Sequence, residues 1–100
     1  MGPTSPPGPQ TGNILIVEDD PSVLRLVSYI LEKEGYEVDS APNGLIGWEM
    51  VCRKSYDLVL TDIRMPVMDG LDLLKRIKLE LPDTVVVVLS AFGNKDIAIK

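Results

Sequence analysis

The chain has 100 residues, 45% hydrophobic and 25% charged, which is enough apolar material for the core of one small domain. Its net charge of -5 disfavours binding to nucleic acid or to an anionic membrane surface, and no apolar run approaches the roughly 18 residues of a membrane span. One cysteine and no histidine exclude an internal disulfide, a Cys/His metal centre and Ser-His-Asp catalysis, so we expect a reduced, cytoplasmic setting.

The chain begins with residues 1–12, a leader that is rich in proline and glycine and has no charged side chain. This composition predicts disorder. The apolar run 14–17 then predicts a strand buried on both faces. Asp20 before Pro21 predicts a helix start, and apolar residues at three- and four-residue spacing predict one apolar stripe on a helix that Gly35 ends.

The next part of the chain predicts a second strand and a second helix. Residues 36–40 alternate between polar and apolar, which favours an exposed strand at the edge of a sheet. Turn residues follow, and residues 45–54 then predict a helix. Trp48, Val51 and Cys52 are its candidate inward side chains.

The remaining elements continue the alternation of strand and helix. Residues 57–61 predict a third strand that ends at Asp62, and residues 71–81 predict a helix with one apolar side. Residues 85–89 are almost entirely valine and predict the most buried strand. Residues 94–100 predict the start of a further helix.

This order predicts one α/β domain over residues 13–100. Strands that alternate with helices form a parallel sheet with right-handed crossovers and helices on both faces. About four strands are present. The predicted fold class is therefore a doubly wound parallel sheet.

Acidic side chains follow two of the predicted strands. The first strand is followed by Glu18, Asp19 and Asp20, the third ends at Asp62, and the fourth is followed by Ser90. Ligands of open parallel sheets bind beyond the carboxyl ends of the strands. Carboxylates that converge there raise one another's pKa unless a cation is present, and Mg²⁺ suits such oxygen ligands.

Helix capping is the alternative explanation for these acids. It accounts for Asp20, which precedes Pro21. It does not require Glu18, Asp19 and Asp62 together, because two separate strands then end in acids. These three carboxylates are the candidate metal site.

Three segments carry a resemblance to a known family. They are residues 14–21 (ILIVEDDP), 57–70 (DLVLTDIRMPVMDG) and 88–91 (VLSA). The chain resembles the receiver domain of bacterial two-component response regulators from about residue 13 to its last residue. The resemblance implies the flavodoxin-like doubly wound fold.

The resemblance also implies roles for individual residues. Asp62 matches the phosphoacceptor, which takes a phosphoryl group from the phosphohistidine of a sensor histidine kinase. Glu18 and Asp19 match the acidic pair that binds Mg²⁺ with Asp62, and the main-chain carbonyl of Arg64 matches a further ligand. Ser90 matches the hydroxyl residue that turns toward the phosphoryl group. Such a domain catalyses its own modification and is not a conventional turnover enzyme.

The sequence departs from the family in two respects: the lysine of the family's fifth strand is missing, and so are the aromatic switch residue on that strand and the final helix. The family carries a lysine on a fifth strand, and this chain ends at Lys100 before such a strand, so we expect a truncated receiver. Lys95 and Lys100 fall in the wrong element to replace that lysine. An uncovered strand 85–89 predicts a homodimer or a strand-exchanged oligomer.

Other functions stay open at this point. A pseudo-receiver or dimerisation module, which acts only through protein contacts, is the alternative function. The output domain is unknown, and the composition predicts no direct nucleic-acid contact from this segment.

Overall fold

The computed structural model describes residues 12–63 and 68–89, and the backbone of residues 97–99. Its strands are β1 (Asn13–Val17), β2 (Glu37–Ala41), β3 (Leu58–Asp62), β4 (Val85–Leu89) and β5 (Ile97–Ile99). Its helices are α1 (Pro21–Lys33), α2 (Gly44–Arg53) and α3 (Gly70–Glu80). The predicted strands and helices before residue 90 are confirmed, with their ends displaced by one residue at most sites. The prediction that residues 85–89 form the most buried strand is wrong, because Val85 is 43% exposed and β1 is more fully buried.

The strands form one sheet in the order β2-β1-β3-β4-β5. The pairs β1–β2, β1–β3 and β3–β4 are parallel, which confirms the doubly wound α/β fold class with its four parallel strands. The second strand lies at an edge, as its alternating sequence predicts.

The prediction of a helix over residues 94–100 is wrong for residues 97–99. Ile97–Ile99 forms β5, which pairs antiparallel with β4 so that Val87 lies opposite Ile99 and Leu89 opposite Ile97. Since apolar β-branched residues favour strands, the unpaired backbone of β4 offers this segment a partner that helix formation does not. Within the part of the chain that the structure describes, this side of β4 is unpaired only before Val87.

The main core lies between the sheet and the pair α2 and α3. Alternate residues of the parallel strands point into it, and they pack on Leu73 and Ile77 of α3. The strand residues of this core are Leu15, Val17, Ala41, Val59, Val86 and Val88. Of the predicted inward residues of α2, Val51 is buried and Trp48 is partly buried, but Cys52 is exposed because it lies on the solvent side of the helix.

Helix α1 packs on the sheet near β1 and β2, where Leu31 and Ile14 line a common cavity of about 270 Å³. None of its side chains is fully buried, and the predicted apolar stripe is only partly covered. Of this stripe, Val23 is 40% and Ile30 is 50% exposed, and outside the stripe Leu26 and Tyr29 are each 59% exposed. Among the described residues, no helix is long and apolar enough to cross a membrane.

Helix α1 ends as its sequence predicts. Gly35 has a φ of 99°, a left-handed conformation that glycine adopts without steric cost. Its backbone N–H donates to the carbonyl of Glu32 at 3.0 Å. This turn lies at the end of α1 away from the acidic residues that follow β1.

Candidate functional site

The acidic residues meet because β1 and β3 are neighbours in the sheet. Val17 pairs with Thr61, so Glu18 and Asp62 leave the two strands side by side. Carboxylate oxygens of Glu18, Asp19 and Asp62 all lie within 4.8 Å of one another. The structure thus brings together the three carboxylates that the sequence indicates as a metal site.

Glu18 is the buried member of this cluster, with 8% of its surface exposed. Its backbone N–H donates to the carbonyl of Ala41 at 3.0 Å, and its Oε2 accepts from the backbone N–H of Asp20 at 3.0 Å. Burial raises the pKa of the Glu18 carboxyl from 4.5 to about 7. The Asp20 N–H opposes this rise, while Asp62 and Asp19 add to it.

Asp62 is half-buried and its carboxylate is oriented by the next residue. The backbone N–H of Ile63 donates to Asp62 Oδ1 at 2.8 Å and also to the carbonyl of Leu89 at 3.3 Å. The buried Thr61 hydroxyl donates to the Asp62 carbonyl at 3.0 Å. Hydrogen bonds from the residues before and after Asp62 therefore fix the end of β3.

The two aspartates after Glu18 differ in role. Asp19 is exposed and contributes a carboxylate oxygen to the cluster. Asp20 caps α1, because its Oδ1 accepts from the backbone N–H of Ser22 at 2.9 Å and of Val23 at 3.5 Å. The interpretation of Asp20 as a cap is confirmed.

The loop after β3 returns to the site at Gly70. The backbone N–H of Gly70 donates to the carbonyl of Ile63 at 2.8 Å. A Cβ on Gly70 would lie 2.9 Å from the carbonyl carbon of Asp62, so only glycine allows this approach. The predicted site residues Arg64 and Ser90 lie outside the described residues.

Two contributors to the site are not evident from the sequence. The Ile63 amide is one of them, because a backbone group carries no sequence signal. Gly44 is the other: its sequence context is that of a turn, yet it starts α2 and lies against Met68 of the loop after β3. The Asn43–Gly44 pair is the available signal, but its contact partner is distant in sequence.

The chemistry of the donors fits a hard divalent cation. Three carboxylates at short range repel one another, and a cation that takes oxygen ligands relieves that repulsion. Mg²⁺ needs only one or two carboxylates and keeps positions open for water and phosphate oxygens. A cation held by this cluster would lie beside the Asp62 carboxylate, which the Ile63 N–H orients.

Comparison with known proteins identifies relatives of this chain. The chain matches the profile of the response regulator receiver domain over residues 14–100. It is 39% identical over 83 residues to sporulation initiation phosphotransferase F of Bacillus subtilis, covering 83% of this chain and 67% of that protein. It is 42% identical over 88 residues to the transcriptional regulatory protein ZraR of Klebsiella oxytoca. That match covers 88% of this chain and only 20% of ZraR, so the chain spans about a fifth of that relative's length.

Solved structures share the fold. The response regulator TrrA of Thermotoga maritima, crystallised in complex with Mg²⁺-BeF, matches with a TM-score of 0.79 and 35% identity. That match covers 82% of this chain and 71% of TrrA. A response regulator receiver domain protein of Clostridium thermocellum matches with a TM-score of 0.77 and 32% identity, over 83% of this chain and 68% of that one.

Proposed function

This chain belongs to the response regulator receiver family, and we propose that it is a phosphoacceptor signalling domain. In this proposal Asp62 takes a phosphoryl group from the phosphohistidine of a sensor histidine kinase, with Mg²⁺ bound beside it. The observation that carries the proposal is the convergence of three carboxylates within 4.8 Å at the ends of two neighbouring parallel strands.

Asp62 is proposed as the nucleophile because, of the three residues in the cluster, it alone is the last residue of a strand. A carboxylate oxygen attacks the phosphorus atom, the bond from phosphorus to the histidine nitrogen breaks, and an aspartyl phosphate forms. The electron pair of the broken bond stays on the imidazole nitrogen. The Ile63 N–H supports this role, since its 2.8 Å bond to Oδ1 orients the carboxylate before the reaction.

The metal ligands follow from the same cluster. Asp19 and Asp62 are proposed to bind Mg²⁺ directly and Glu18 through water, with the Arg64 carbonyl as a further ligand by family resemblance. Mg²⁺, when bound, neutralises negative charge that develops on the phosphoryl oxygens. Ser90 is proposed to turn its hydroxyl toward the phosphoryl group, also by family resemblance.

The partners and location are part of the proposal. A sensor histidine kinase supplies the phosphoryl group, and an output domain receives the signal. The transcriptional regulatory protein ZraR is about five times the length of the segment that matches this chain, which leaves room for such a domain in that relative. A cytoplasmic location fits a chain with a single exposed cysteine.

Phosphorylation by a small phosphodonor tests this function. The chain is incubated with acetyl phosphate and MgCl₂, and its mass and sensitivity to hydroxylamine, which cleaves acyl phosphates, are measured. Asp62→Asn should take no phosphoryl group. Asp57→Asn is the matched control, because Asp57 lies just before the other end of β3, where it accepts from the Asn13 backbone N–H at 2.9 Å.

The control should label as well as the parent chain. Undiminished labelling of the Asp62→Asn protein would overturn the assignment of the phosphoacceptor. A folded parent chain that never labels would instead favour a module that acts only through protein contacts.

A further inference from the structure

The first residue of α2 lies against the loop that follows the phosphoacceptor strand. Gly44 is buried, and a Cβ on it would lie 2.9 Å from both the carbonyl carbon and the Cβ of Met68. The Met68 carbonyl oxygen would lie closer still. To relieve the carbon–carbon contacts alone, Met68 and the added Cβ must move apart by roughly 0.6 Å, to a separation of about 3.5 Å at which carbon atoms attract one another.

Met68, which Gly44 contacts, is connected to Asp62 through Gly70 and Ile63. Met68 lies two residues before Gly70, whose N–H donates to the Ile63 carbonyl at 2.8 Å. The N–H of Ile63 in turn donates to Asp62 Oδ1 at 2.8 Å. Backbone contacts thus run without a break from the start of α2 to the phosphoacceptor carboxylate.

Core packing of α2 opposes a retreat of the helix from a clash at its first residue. Asn43 caps it, with Oδ1 accepting from the Ile46 N–H at 2.8 Å. One turn later, Gly47 lies against β1, where a Cβ would come within 2.9 Å of Val17 Cγ2. Because Val51 is buried in the core and Gly47 packs closely on Val17, moving α2 away from the sheet would break core contacts, so a side chain at position 44 displaces Met68 instead.

We propose that Gly44 is a positioning residue for phosphoryl transfer, because its missing side chain leaves room for Met68 and so keeps Gly70 bonded to Ile63 beside Asp62. The inference rests on the proposed function. It assigns to the start of α2, which contributes no side chain to the acidic cluster, a share in the reactivity of Asp62.

The test substitutes Gly44→Ala and compares it with Gly35→Ala. Both changes add one methyl group to a glycine. Gly35 has a φ of 99°, so alanine destabilises the fold there, but the residue follows α1 at the end away from the acidic cluster. Urea unfolding, followed through the single tryptophan Trp48, measures the stability of each variant.

The first measurement is amide hydrogen exchange by NMR in the metal-free chain. Gly44→Ala should speed exchange at Gly70, whose N–H loses its close approach to Ile63, and Gly35→Ala should not. Unchanged exchange at Gly70 in the folded Gly44→Ala protein would overturn the inference. If that variant folds poorly, an osmolyte such as trimethylamine oxide restores the folded state without removing the local clash.

The second measurement is the rate of phosphorylation by acetyl phosphate with MgCl₂. Gly44→Ala should lower it by about tenfold or more, since a misplacement of about 1 Å costs on the order of a hundredfold in rate. Equal losses in both variants would overturn the inference, because a general loss of stability would then explain them. Faster exchange at Gly70 together with a parent chain that never labels would support the positioning of Asp62 and overturn the proposed function.

Discussion

Glu18→Gln should stabilise the metal-free protein above pH 7. Burial raises the pKa of Glu18 to about 7, so above this pH the folded chain holds a buried negative charge beside Asp19 and Asp62. Glutamine has nearly the same shape and no charge. It retains a carbonyl oxygen that can accept from the Asp20 N–H, as Glu18 Oε2 does at 3.0 Å.

The size of the effect follows from the difference in pKa between the folded and unfolded chain. The folded value of about 7 exceeds the ordinary value of 4.5. At about 1.4 kcal/mol for each pKa unit, this difference corresponds to roughly 3 to 4 kcal/mol over the whole titration. Between these two values the folded chain binds more protons than the unfolded chain, so the contribution of Glu18 to the free energy of unfolding falls as pH rises, and is constant above the folded value.

Urea unfolding from about pH 5 to about pH 8, followed by Trp48 fluorescence and circular dichroism, measures this contribution. The parent chain should lose roughly 2 to 3 kcal/mol of stability over this range, because the unfolded carboxyl is already mostly ionised at pH 5, and the Glu18→Gln protein should lose little. Glu49→Gln is the control, because Glu49 is an exposed residue that pairs with Arg53 at 3.8 Å. It should keep the parent pH profile and change stability by less than about 1 kcal/mol.

Addition of MgCl₂ at about pH 8 completes the experiment, since a cation that binds only the folded chain stabilises it. The parent chain should be stabilised, and the Glu18→Gln protein should be stabilised less. Identical pH profiles for the parent chain and the Glu18→Gln protein would refute the reasoning, because Glu18 would then carry no unfavourable buried charge.

Three further predictions use the same protein. Asp19→Ala should abolish the stabilisation by MgCl₂, whereas Asp20→Ala should retain it and cost about 1 kcal/mol through loss of a helix cap; the opposite pattern in the urea titrations would show that the ligand assignment is displaced by one residue. Tyr56→Phe should lower the free energy of unfolding by about 1 kcal/mol, because the Tyr56 hydroxyl donates to Asp39 at 2.7 Å; a change near zero by urea titration would contradict it. The homodimer expected from the sequence should form with rising concentration, through the partly covered face of α1 and the unpaired start of β4; light scattering that shows a monomer at every concentration would refute it.

Hydrophobic periodicity and the residues at the ends of strands predicted most of the fold and the acidic cluster. The apolar runs at 14–17 and 85–89 are buried on at least one face wherever they lie in a sheet, so their assignment as strands needed no tertiary information. The acids after the first and third strands predicted a shared site because the carboxyl ends of parallel strands lie at one edge. The cap at Asp20 and the helix end at Gly35 are local, and the structure confirms both.

Tertiary contacts decided what local sequence left undetermined. Residues 97–99 form a strand because the exposed backbone of β4 pairs with them. The local sequence pattern of residues 97–99 does not indicate this partner. Glu18 is buried while Asp19 beside it is exposed, because the path of the chain after β1 turns only the first carboxylate inward. Gly44 meets Met68 only once α2 has packed against the sheet, so a residue that resembles a turn glycine in the sequence becomes a tertiary contact in the fold.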